Sequence, residues 1–448
     1  MIRMNAIPSL TLLAFLVILL DGCLVVNDPY TAIAPGYWRA SLQLDPKYRI
    51  DNPEGRPIPE AVDVQFEEVT AGELPFVFEV IYENEQDFYI DIINGEERLR
   101  VDDIKIGRDQ RISKDTILIN FPVFDSYIRA TCEANVIEGE WVVNYKENYR
   151  IPFVAHQGQN YRFTTLRKTP VMDVSGRWEV LFEVDTDKPF PAIGEFQQDG
   201  NYLTGTFLTE TGDYRFLEGT IQENKLYLSC FDGSHAFLFE AKIQEDSTLI
   251  GSFRSGSHYK ALWEGRRNSE FTLSDPDSLT FLKKGYDRLD FSFQNTQRKT
   301  ISLSDSAFQS KVCLIQIMGT WCPNCRDETL FLKDYLANHP GKDIAVIALA
   351  FERYQDQEKA LKVLRTYKER MDIPYEVLYA GSYKKEEAAQ SLPMLNQILS
   401  YPTLIFIDKK GQVRKIHTGF SGPATSEYEA FKTEFDTFIN QLLAESIK

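Results

Sequence analysis

The sequence predicts a multidomain protein in which an all-β region precedes an α/β domain with a mixed sheet. Between Gly36 and Arg267, short alternating apolar runs such as FVFEVIY and FYIDII recur between turn-forming residues, which is typical of antiparallel sandwiches or barrels. After residue 284, continuous apolar runs (KVCLIQIM and DIAVIALAF) are each followed by a helical stretch, as in buried sheets covered by helices on both faces. The length of 448 residues suits about two to four domains.

The first residues have the features of an export signal. A short positively charged start precedes an apolar run at residues 6–20, which is shorter than the roughly 20 residues of a membrane-spanning helix. The run ends in LDGC, which resembles a bacterial lipobox with Cys23 as the lipidated residue, although Asp21 departs from the usual small residue. We therefore predict a signal peptide over residues 1–22 and a lipid-anchored tether over residues 23–35. An ordinary secretory signal with a chance cysteine is the alternative.

Charge and cysteine count narrow the class of protein further. The formal net charge of −17 argues against nucleic-acid binding, which needs basic surface to neutralise phosphates. An exported chain resides where disulfides persist. The cysteines after Cys23 are odd in number, which excludes a fully paired framework. Leu24 stands where an Asp often retains lipoproteins at the inner membrane, so the outer membrane is the favoured location.

Two stretches of the β-rich region are echoed later in the same region. GYWRASLQLD (36–45) resembles GRWEVLFEVD (176–185), and IEGEWVVNYKENYRIPF (137–153) resembles LIGSFRSGSHYKALWEG (249–265). The two later stretches occur in the same order as the two earlier ones. This order favours a duplicated unit over convergent strand composition. We predict β-rich units at 36–170 and 171–267, a polar linker at 268–284 and the α/β domain at 285–448.

The α/β domain contains the sequence GTWCPNC, with two cysteines at the start of a predicted helix. Cys322 follows an apolar strand, and the free N–H groups of a helix N-terminus favour a thiolate there. Pro323 suits the first helical turn, and Cys325 is close enough for the two sulfurs to bond. We predict that Cys322 is an exposed nucleophile, that Cys325 is a more buried resolving thiol, and that their disulfide is the redox group, with no other cofactor.

Other uses of this cysteine pair are less well supported. A zinc site needs four ligands, but the chain has no second C-x-x-C and no ligand-spaced histidine pair. Haem attachment needs His after Cys325, where Arg326 stands. A structural disulfide closing so short a loop would restrict the unfolded chain little.

A second signal lies in SYPTLIFID, near the end of the chain. Pro402 directly precedes a strongly apolar strand, a position in a sheet where proline is tolerated. Proline is also the residue that readily follows a cis peptide bond. A cis bond here would turn the backbone of Tyr401 toward an extended substrate segment.

Together these motifs resemble the thioredoxin fold and, more narrowly, the TlpA/ResA-like thiol-disulfide oxidoreductases, which are membrane-anchored and face the periplasm. The resemblance covers residues 285–448. Its family run, W-C-P-x-C-R-x-E, is matched by Trp321, Cys322, Pro323, Cys325, Arg326 and Glu328. It implies that Trp321 is a lid beside the sulfurs, that Pro402 is the cis-proline, and that Glu328 tunes the pair. A solvated helix residue is the alternative for Glu328.

The chain also departs from the family pattern. Gln316 stands where thioredoxins have a buried Asp and this family often has Asn, which affects proton handling. Tyr401 precedes the proline where Thr or Val is commoner, which affects substrate choice. The first 270 residues resemble β-rich extensions of some such lipoproteins, and that likeness implies no activity.

The predicted function is that of a membrane-anchored periplasmic enzyme that reduces disulfides of client proteins. Electrons would come from an unidentified membrane or periplasmic donor, and the sequence does not distinguish reductase, oxidase and isomerase. A peroxidase is a second hypothesis, but P-x-x-x-T-x-x-C is absent and Cys313 lies within an apolar strand. A third is a binding or scaffold lipoprotein whose β-rich region binds a ligand. The sequence leaves open whether Cys132 and Cys230 pair.

Overall fold

The structure, a computed structural model, describes residues 33–45 and 71–446. The predicted signal peptide and the predicted lipidation site, Cys23, lie outside the described residues. Within the described ranges, no helix combines the length and apolar character that a membrane crossing requires.

The first β-rich sheet is open and antiparallel. Its strands are β1 (Gly36–Gln43), β2 (Glu73–Tyr82), β3 (Phe88–Asn94), β4 (Glu97–Val101), β5 (Ile104–Asp109), β6 (Lys114–Phe121), β7 (Ser126–Glu133), β8 (Val136–Val143) and β9 (Arg150–Gln157). They follow the order β4-β3-β2-β1-β9-β8-β7-β6-β5, so the first strand pairs with the last. Alternate residues are buried, and Trp38 and Trp141 lie in the resulting core.

The second β-rich sheet closes on itself. Its strands are β10 (Gly176–Phe182), β11 (Phe190–Asp199), β12 (Tyr202–Thr209), β13 (Gly212–Asp213), β14 (Leu217–Gln222), β15 (Lys225–Phe231), β16 (Ala236–Ile243), β17 (Leu249–Ser255) and β18 (Tyr259–Arg267). Because β10 pairs with β18 and β11 pairs with β12, the longer strands form a barrel. Aromatic side chains such as Phe207, Phe239 and Trp263 fill its interior.

The echoed sequences lie at matching places in the two sheets. Each first strand carries a buried tryptophan whose indole N–H donates to the carbonyl four residues earlier. The two bonds are Trp38 to Ala34 at 2.9 Å and Trp178 to Val174 at 2.8 Å. The prediction of an all-β region with barrel-like units is therefore confirmed.

The α/β domain has a seven-stranded mixed sheet within the described residues. Its elements are α1 (Pro276–Leu279), β19 (Ser292–Asn295), β20 (Thr300–Ser302), β21 (Val312–Met318), α2 (Pro323–Asn338), β22 (Ile344–Glu352), α3 (Gln357–Arg370), β23 (Glu376–Ser382), α4 (Lys385–Ser391), β24 (Thr403–Ile407), β25 (Val413–Thr418) and α5 (Tyr428–Ala444). The order is β20-β19-β23-β22-β21-β24-β25, and only β21–β22 and β22–β23 are parallel. The predicted mixed sheet is confirmed.

Burial explains the placement of the central strand and the last helix. Every residue of β21 is buried, as its uninterrupted apolar run predicts for a strand with neighbours on both sides. Helix α5 buries Phe435, Ile439 and Leu442, which are spaced by four and three residues and so lie on one face. The cysteine pair follows the carboxyl end of β21, at the start of α2.

The two β-rich sheets share a buried junction. Phe231, from β15 of the second sheet, packs into the core of the first sheet, with its ring 4.5 Å from that of Phe76. The buried guanidinium of Arg162 donates to the carbonyls of Ile93 and Ser229, one from each sheet. The sheets are therefore joined by apolar packing and by a buried charge with hydrogen-bond partners.

Candidate active site

The two cysteines of C-x-x-C form a disulfide at the start of α2. Cys322 is the N-cap of the helix, Pro323 occupies the first turn, and the Cα atoms of Cys322 and Cys325 are 5.2 Å apart. The backbone N–H of Cys325 points at the Cys322 sulfur, 3.2 Å away. Free N–H groups and the positive end of the helix dipole favour negative charge at that sulfur.

The loop between β21 and α2 is shaped around Trp321. The indole N–H donates to the carbonyl of Phe351 at 3.0 Å, and the guanidinium of Arg353 lies 4.3 Å from the indole ring centre. A Cβ atom at position 319 would clash with the indole, so Gly319 allows the side chain to fold back. Trp321 thus lies against the loop that carries the disulfide.

The predicted proline loop lies directly beside the disulfide. The Tyr401–Pro402 peptide bond is cis, and Pro402 directly precedes β24, the neighbour of β21. The Cys322 sulfur is 3.3 Å from the carbonyl oxygen of Tyr401. The ring of Tyr401 packs edge-on against Trp321, with centroids 5.3 Å apart. The structure therefore brings together the cysteines, Trp321 and the proline loop.

Glu328 lies in the interior behind the disulfide. It is fully buried, so the solvated alternative is wrong. Gln316 donates from its amide both to Glu328 Oε2 at 3.0 Å and to the carbonyl of Cys325 at 3.3 Å. Oε1 has no hydrogen-bond partner among the described residues. Burial raises the pKa of Glu328 to about 8, and the bond from Gln316 opposes that rise only in part.

A second buried acid, Glu352, supports the loop from the other side. Its carboxylate accepts from the backbone N–H of Thr320 at 3.0 Å and from the Thr320 hydroxyl at 2.8 Å. Burial raises its pKa to about 7, against the effect of both bonds. The sequence analysis did not identify this residue, although an acid ending a buried strand is a visible signal.

The prediction that Cys322 is exposed is wrong. Only 7% of Cys322 is accessible, and Cys325 is fully buried. The physical reason is that residues 210–215 of the second sheet lie over this face of the α/β domain. Asn324, between the two cysteines, donates from its amide to the carbonyl of Asp213 at 3.0 Å. Ser400, next to the proline loop, donates to the carbonyl of Thr211 at 2.6 Å.

Arg215 connects residues 210–215 to α2, the helix that carries the cysteines. It is 2% exposed, and its guanidinium contacts carboxylates from three parts of the chain. These are Asp327 of α2, Glu97 of the first sheet and, at 3.6 Å, Asp232 of the second sheet. Local sequence patterns missed the cluster, although ETGDYR was visible as a turn.

The other cysteines of the described residues are free thiols. Cys132 and Cys230 do not pair, and Cys313 is buried in β21. Burial raises the pKa of Cys132 to about 11 and that of Cys313 to about 12, and it also raises the pKa of Cys230 well above its usual value. These thiols therefore remain protonated near neutral pH and are poor nucleophiles.

Known proteins match the α/β domain of this chain. The model of the AhpC/TSA family matches residues 285–416. The Thioredoxin-like protein YneN of Bacillus subtilis (strain 168) is 28% identical over 138 residues, which are 31% of this chain and 73% of that protein.

Two solved structures also align with this part of the chain. A thiol:disulfide interchange protein of the thioredoxin family from Chlorobium tepidum TLS has 21% identity and a TM-score of 0.28, covering 36% of this chain and 99% of that one. A thiol-disulfide oxidoreductase from Bacteroides fragilis NCTC 9343 has 17% identity and a TM-score of 0.25, covering 34% and 98%.

The family match lies within the α/β domain and leaves the β-rich region outside it. The domain is thioredoxin-like, as predicted. The family match and the bonded cysteine pair also confirm the predicted enzyme class, a thioredoxin-like thiol-disulfide oxidoreductase.

Proposed function

We propose that the chain is a membrane-anchored, periplasm-facing oxidoreductase of the TlpA/ResA-like type that reduces disulfides of client proteins. The observation that carries this proposal is the Cys322–Cys325 disulfide at the first turn of α2, beside the carbonyl of Tyr401. This arrangement places a nucleophile, Cys322, and a resolving thiol, Cys325, next to the backbone of Tyr401, along which an extended client could bind.

In the proposed reaction, the reduced enzyme transfers two electrons to the client. The Cys322 thiolate attacks one sulfur of the client disulfide, and the other client sulfur leaves as a thiolate. The Cys325 thiolate then attacks the Cys322 sulfur, which releases the second client thiolate and forms the enzyme disulfide. A dithiol donor must afterwards reduce that disulfide. Protonation of the two released thiolates completes the balance.

The helix N-terminus supports the role of Cys322 as the attacking sulfur. The N–H of Cys325 and the helix dipole stabilise a thiolate there, by about 0.3–1 kcal/mol for the dipole. Asp327, one turn into the helix, would oppose this charge, but its carboxylate is paired with Arg215. The local field therefore favours ionisation of Cys322.

The buried acid supports the resolving step. Glu328 is connected to the backbone of Cys325 through Gln316, and its raised pKa keeps it protonated at neutral pH. A neutral acid next to a buried thiol avoids the repulsion that a carboxylate would exert on a forming Cys325 thiolate. We propose that Glu328 tunes the pair in this way.

Two rival functions receive less support. A peroxidase based on Cys313 would need an accessible thiolate, whereas this thiol is buried with a pKa raised to about 12. A ligand-binding scaffold receives less support from the second sheet, because aromatic rings fill its interior.

The location in the cell envelope rests on residues 6–23, where an apolar run ends in the lipobox-like LDGC. Replacing Cys23 with Ser should release the protein from the membrane fraction. A Cys23→Ser protein that stays in that fraction would refute the lipid anchor, and fractionation on a sucrose gradient would separate outer from inner membrane.

The midpoint potential of the Cys322–Cys325 couple in the full chain tests the reducing direction. A value near that of thioredoxin, about −270 mV, supports a reductant, whereas a value near that of DsbA, about −120 mV, means an oxidant. Insulin reduction coupled to dithiothreitol tests the exchange itself, with Cys322→Ser as the control. An intact couple with no exchange toward any thiol or disulfide would overturn the proposal.

A further inference from the structure

We propose that residues 210–215 of the second sheet occupy the client groove of the resting enzyme and that a client must displace them. This inference rests on the proposed function, because the groove is defined by the disulfide and by the Tyr401–Pro402 loop. It assigns the β-rich region a role in controlling access to Cys322.

The 210–215 segment is hydrogen-bonded to side chains on both sides of the reactive groups. Its carbonyls at Thr211 and Asp213 accept hydrogen bonds from Ser400 and Asn324, at 2.6 and 3.0 Å. The two donors flank the reactive groups, since Asn324 lies between the cysteines and Ser400 adjoins the proline loop. A client segment that binds here would offer its own carbonyls to the same donors.

The approach of the segment leaves no room for a second chain. A Cβ atom at Gly212, where φ is +134°, would clash with the amide of Asn324. On the opposite wall, a Cβ atom at Gly419 would lie 3.1 Å from the carbonyl oxygen of Glu210. The backbone N–H of Gly422 also donates to the Asp213 carboxylate at 2.7 Å. A client and the segment therefore exclude each other.

Arg215 holds the segment in place. Its buried guanidinium contacts Asp327 on the helix that carries the cysteines, and Glu97 and Asp232 in the two sheets. Ser234, from the same sheet, adds a bond to the carbonyl of Trp321 at 3.1 Å. Among the described residues, the pair with Asp327 is the only ion pair that joins the segment to α2, so breaking it should weaken the hold of the segment on the groove.

The expected consequence is discrimination by size. With 7% of Cys322 accessible, a small disulfide can reach the sulfur more easily than a protein chain that must lie along the groove. Displacement of the segment should therefore limit reaction with clients and affect small disulfides little. Suitable clients are disulfide-bearing segments that can become extended and take the place of the 210–215 segment.

The test compares two probes in single-turnover reactions with the reduced full chain: insulin and 2-hydroxyethyl disulfide. Each reaction moves two electrons from the Cys322–Cys325 dithiol to the probe. Gly212→Ala should push the segment off Asn324, and Arg215→Gln should weaken its contact with α2. If the open form becomes tenfold more populated, the insulin rate of Gly212→Ala rises about tenfold, and its rate with the small probe changes less than about twofold. Arg215→Gln also unpairs Asp327 near Cys322 and so changes the rates with both probes, but the ratio of the insulin rate to the small-probe rate should still rise about tenfold.

Matched controls exist in the same region. Gly200→Ala also adds a Cβ at a positive φ, +59° in the turn between β11 and β12, but no atom lies within 4 Å. Arg162→Gln also removes a buried arginine, but one whose guanidinium contacts Ile93, Ser229 and Glu218, all within the β-rich region. Both controls should leave the insulin rate at the wild-type value.

A folded Gly212→Ala protein, with a wild-type near-UV spectrum, that reacts with both probes at wild-type rates would overturn the inference. If no variant, nor the wild type, reduces either probe, the proposed function fails instead. Should the variants not fold, hydrogen exchange decides. In Cys325→Ser bonded to insulin, peptides covering residues 205–216 should exchange faster than in the free protein, and unchanged exchange would equally overturn the inference.

Discussion

In both β-rich sheets the first strand pairs with the last, but the two sheets stand in different relations to the active site. The second sheet hydrogen-bonds to the cysteine loop through Asp213 and Ser234. The first sheet pairs with the α/β domain where Asp103 contacts Arg370. It reaches the site indirectly, through Arg353, whose guanidinium lies over both Tyr145 and Trp321, and through Glu97, a partner of Arg215. Similar architecture therefore makes direct hydrogen bonds to the cysteine loop in one copy and indirect contacts in the other.

One turn and one arginine account for much of this difference. In the second sheet, residues 210–215 project into the groove and Arg215 ties them to α2. In the first sheet, the turn at Gly95 instead faces the second sheet, where its N–H donates to Glu218 at 2.8 Å. Local changes in a turn are thus enough to give two like sheets different roles.

The largest expected effect distinguishes the reacting cysteine of the α/β domain from the cysteines of the two β-rich sheets. If the sheets supply contacts and not reacting groups, Cys322→Ser should reduce insulin reduction by at least about 1,000-fold. Cys132→Ser and Cys230→Ser, one in each sheet, should leave the rate unchanged, because burial keeps both thiols protonated. A comparable loss in either of these two variants would give that sheet a chemical role.

The likeness of the two sheets can be tested at their corresponding tryptophans. Trp38 and Trp178 are both buried and make the same indole hydrogen bond. Replacing either with Ala should lower the free energy of unfolding by about 3–5 kcal/mol. Urea denaturation of both variants would measure this, and a loss in only one of them would show that the two cores are not equivalent.

The pH dependence of stability should come partly from Glu328 in the α/β domain. Its pKa is raised from 4.5 to about 8 in the folded protein, so between these values the folded chain holds a proton that the unfolded chain has lost. Stability therefore falls as pH rises through this window, on the order of a few kcal/mol. Glu328→Gln should reduce that fall and leave the part that comes from Glu352, whose pKa is raised to about 7, as measured by urea denaturation at several pH values.

A matched test uses the second sheet. Burial also raises the pKa of Asp213, which lies in the cover over the disulfide. If Glu328→Gln leaves the fall of stability intact and Asp213→Asn removes it, the dominant acid belongs to the sheet and not to the α/β domain.

The smallest effect is expected at the periphery. Arg370 pairs with Asp103 of the first sheet, but nearly half of its side chain is exposed. Such pairs contribute about 0–1 kcal/mol, so Arg370→Gln should change stability little and the insulin rate not at all. A clear change in that rate would mean that the first sheet also acts on the site.

Local patterns predicted the active-site elements well, because each depends on near neighbours in the chain. Cys322 and Pro323 were placed correctly at the start of a helix, since a strand, a turn and a proline mark that point. The position of Pro402 before β24 followed from the apolar run after it. The two β-rich sheets were visible in alternating runs of apolar residues.

The contacts between the modules could not be predicted in this way. The predicted exposure of Cys322 was wrong because the second sheet docks beside it, where Asp213 binds Asn324 from more than one hundred positions away, and no local pattern encodes that docking. The burial of Glu328 likewise depends on Gln316, a strand residue that faces it across the core. Arg215 is a charged residue in a turn, which predicts solvent exposure unless its partners are known.

Trapping of the mixed disulfide is the most direct test of the central claim that Cys322 attacks client disulfides and Cys325 resolves them. The full-length Cys325→Ser protein, incubated with insulin and digested without reductant, should yield insulin peptides bonded to Cys322 by mass spectrometry. Adducts on Cys132, Cys230 or Cys313 in place of Cys322, or no adduct at all, would contradict the account.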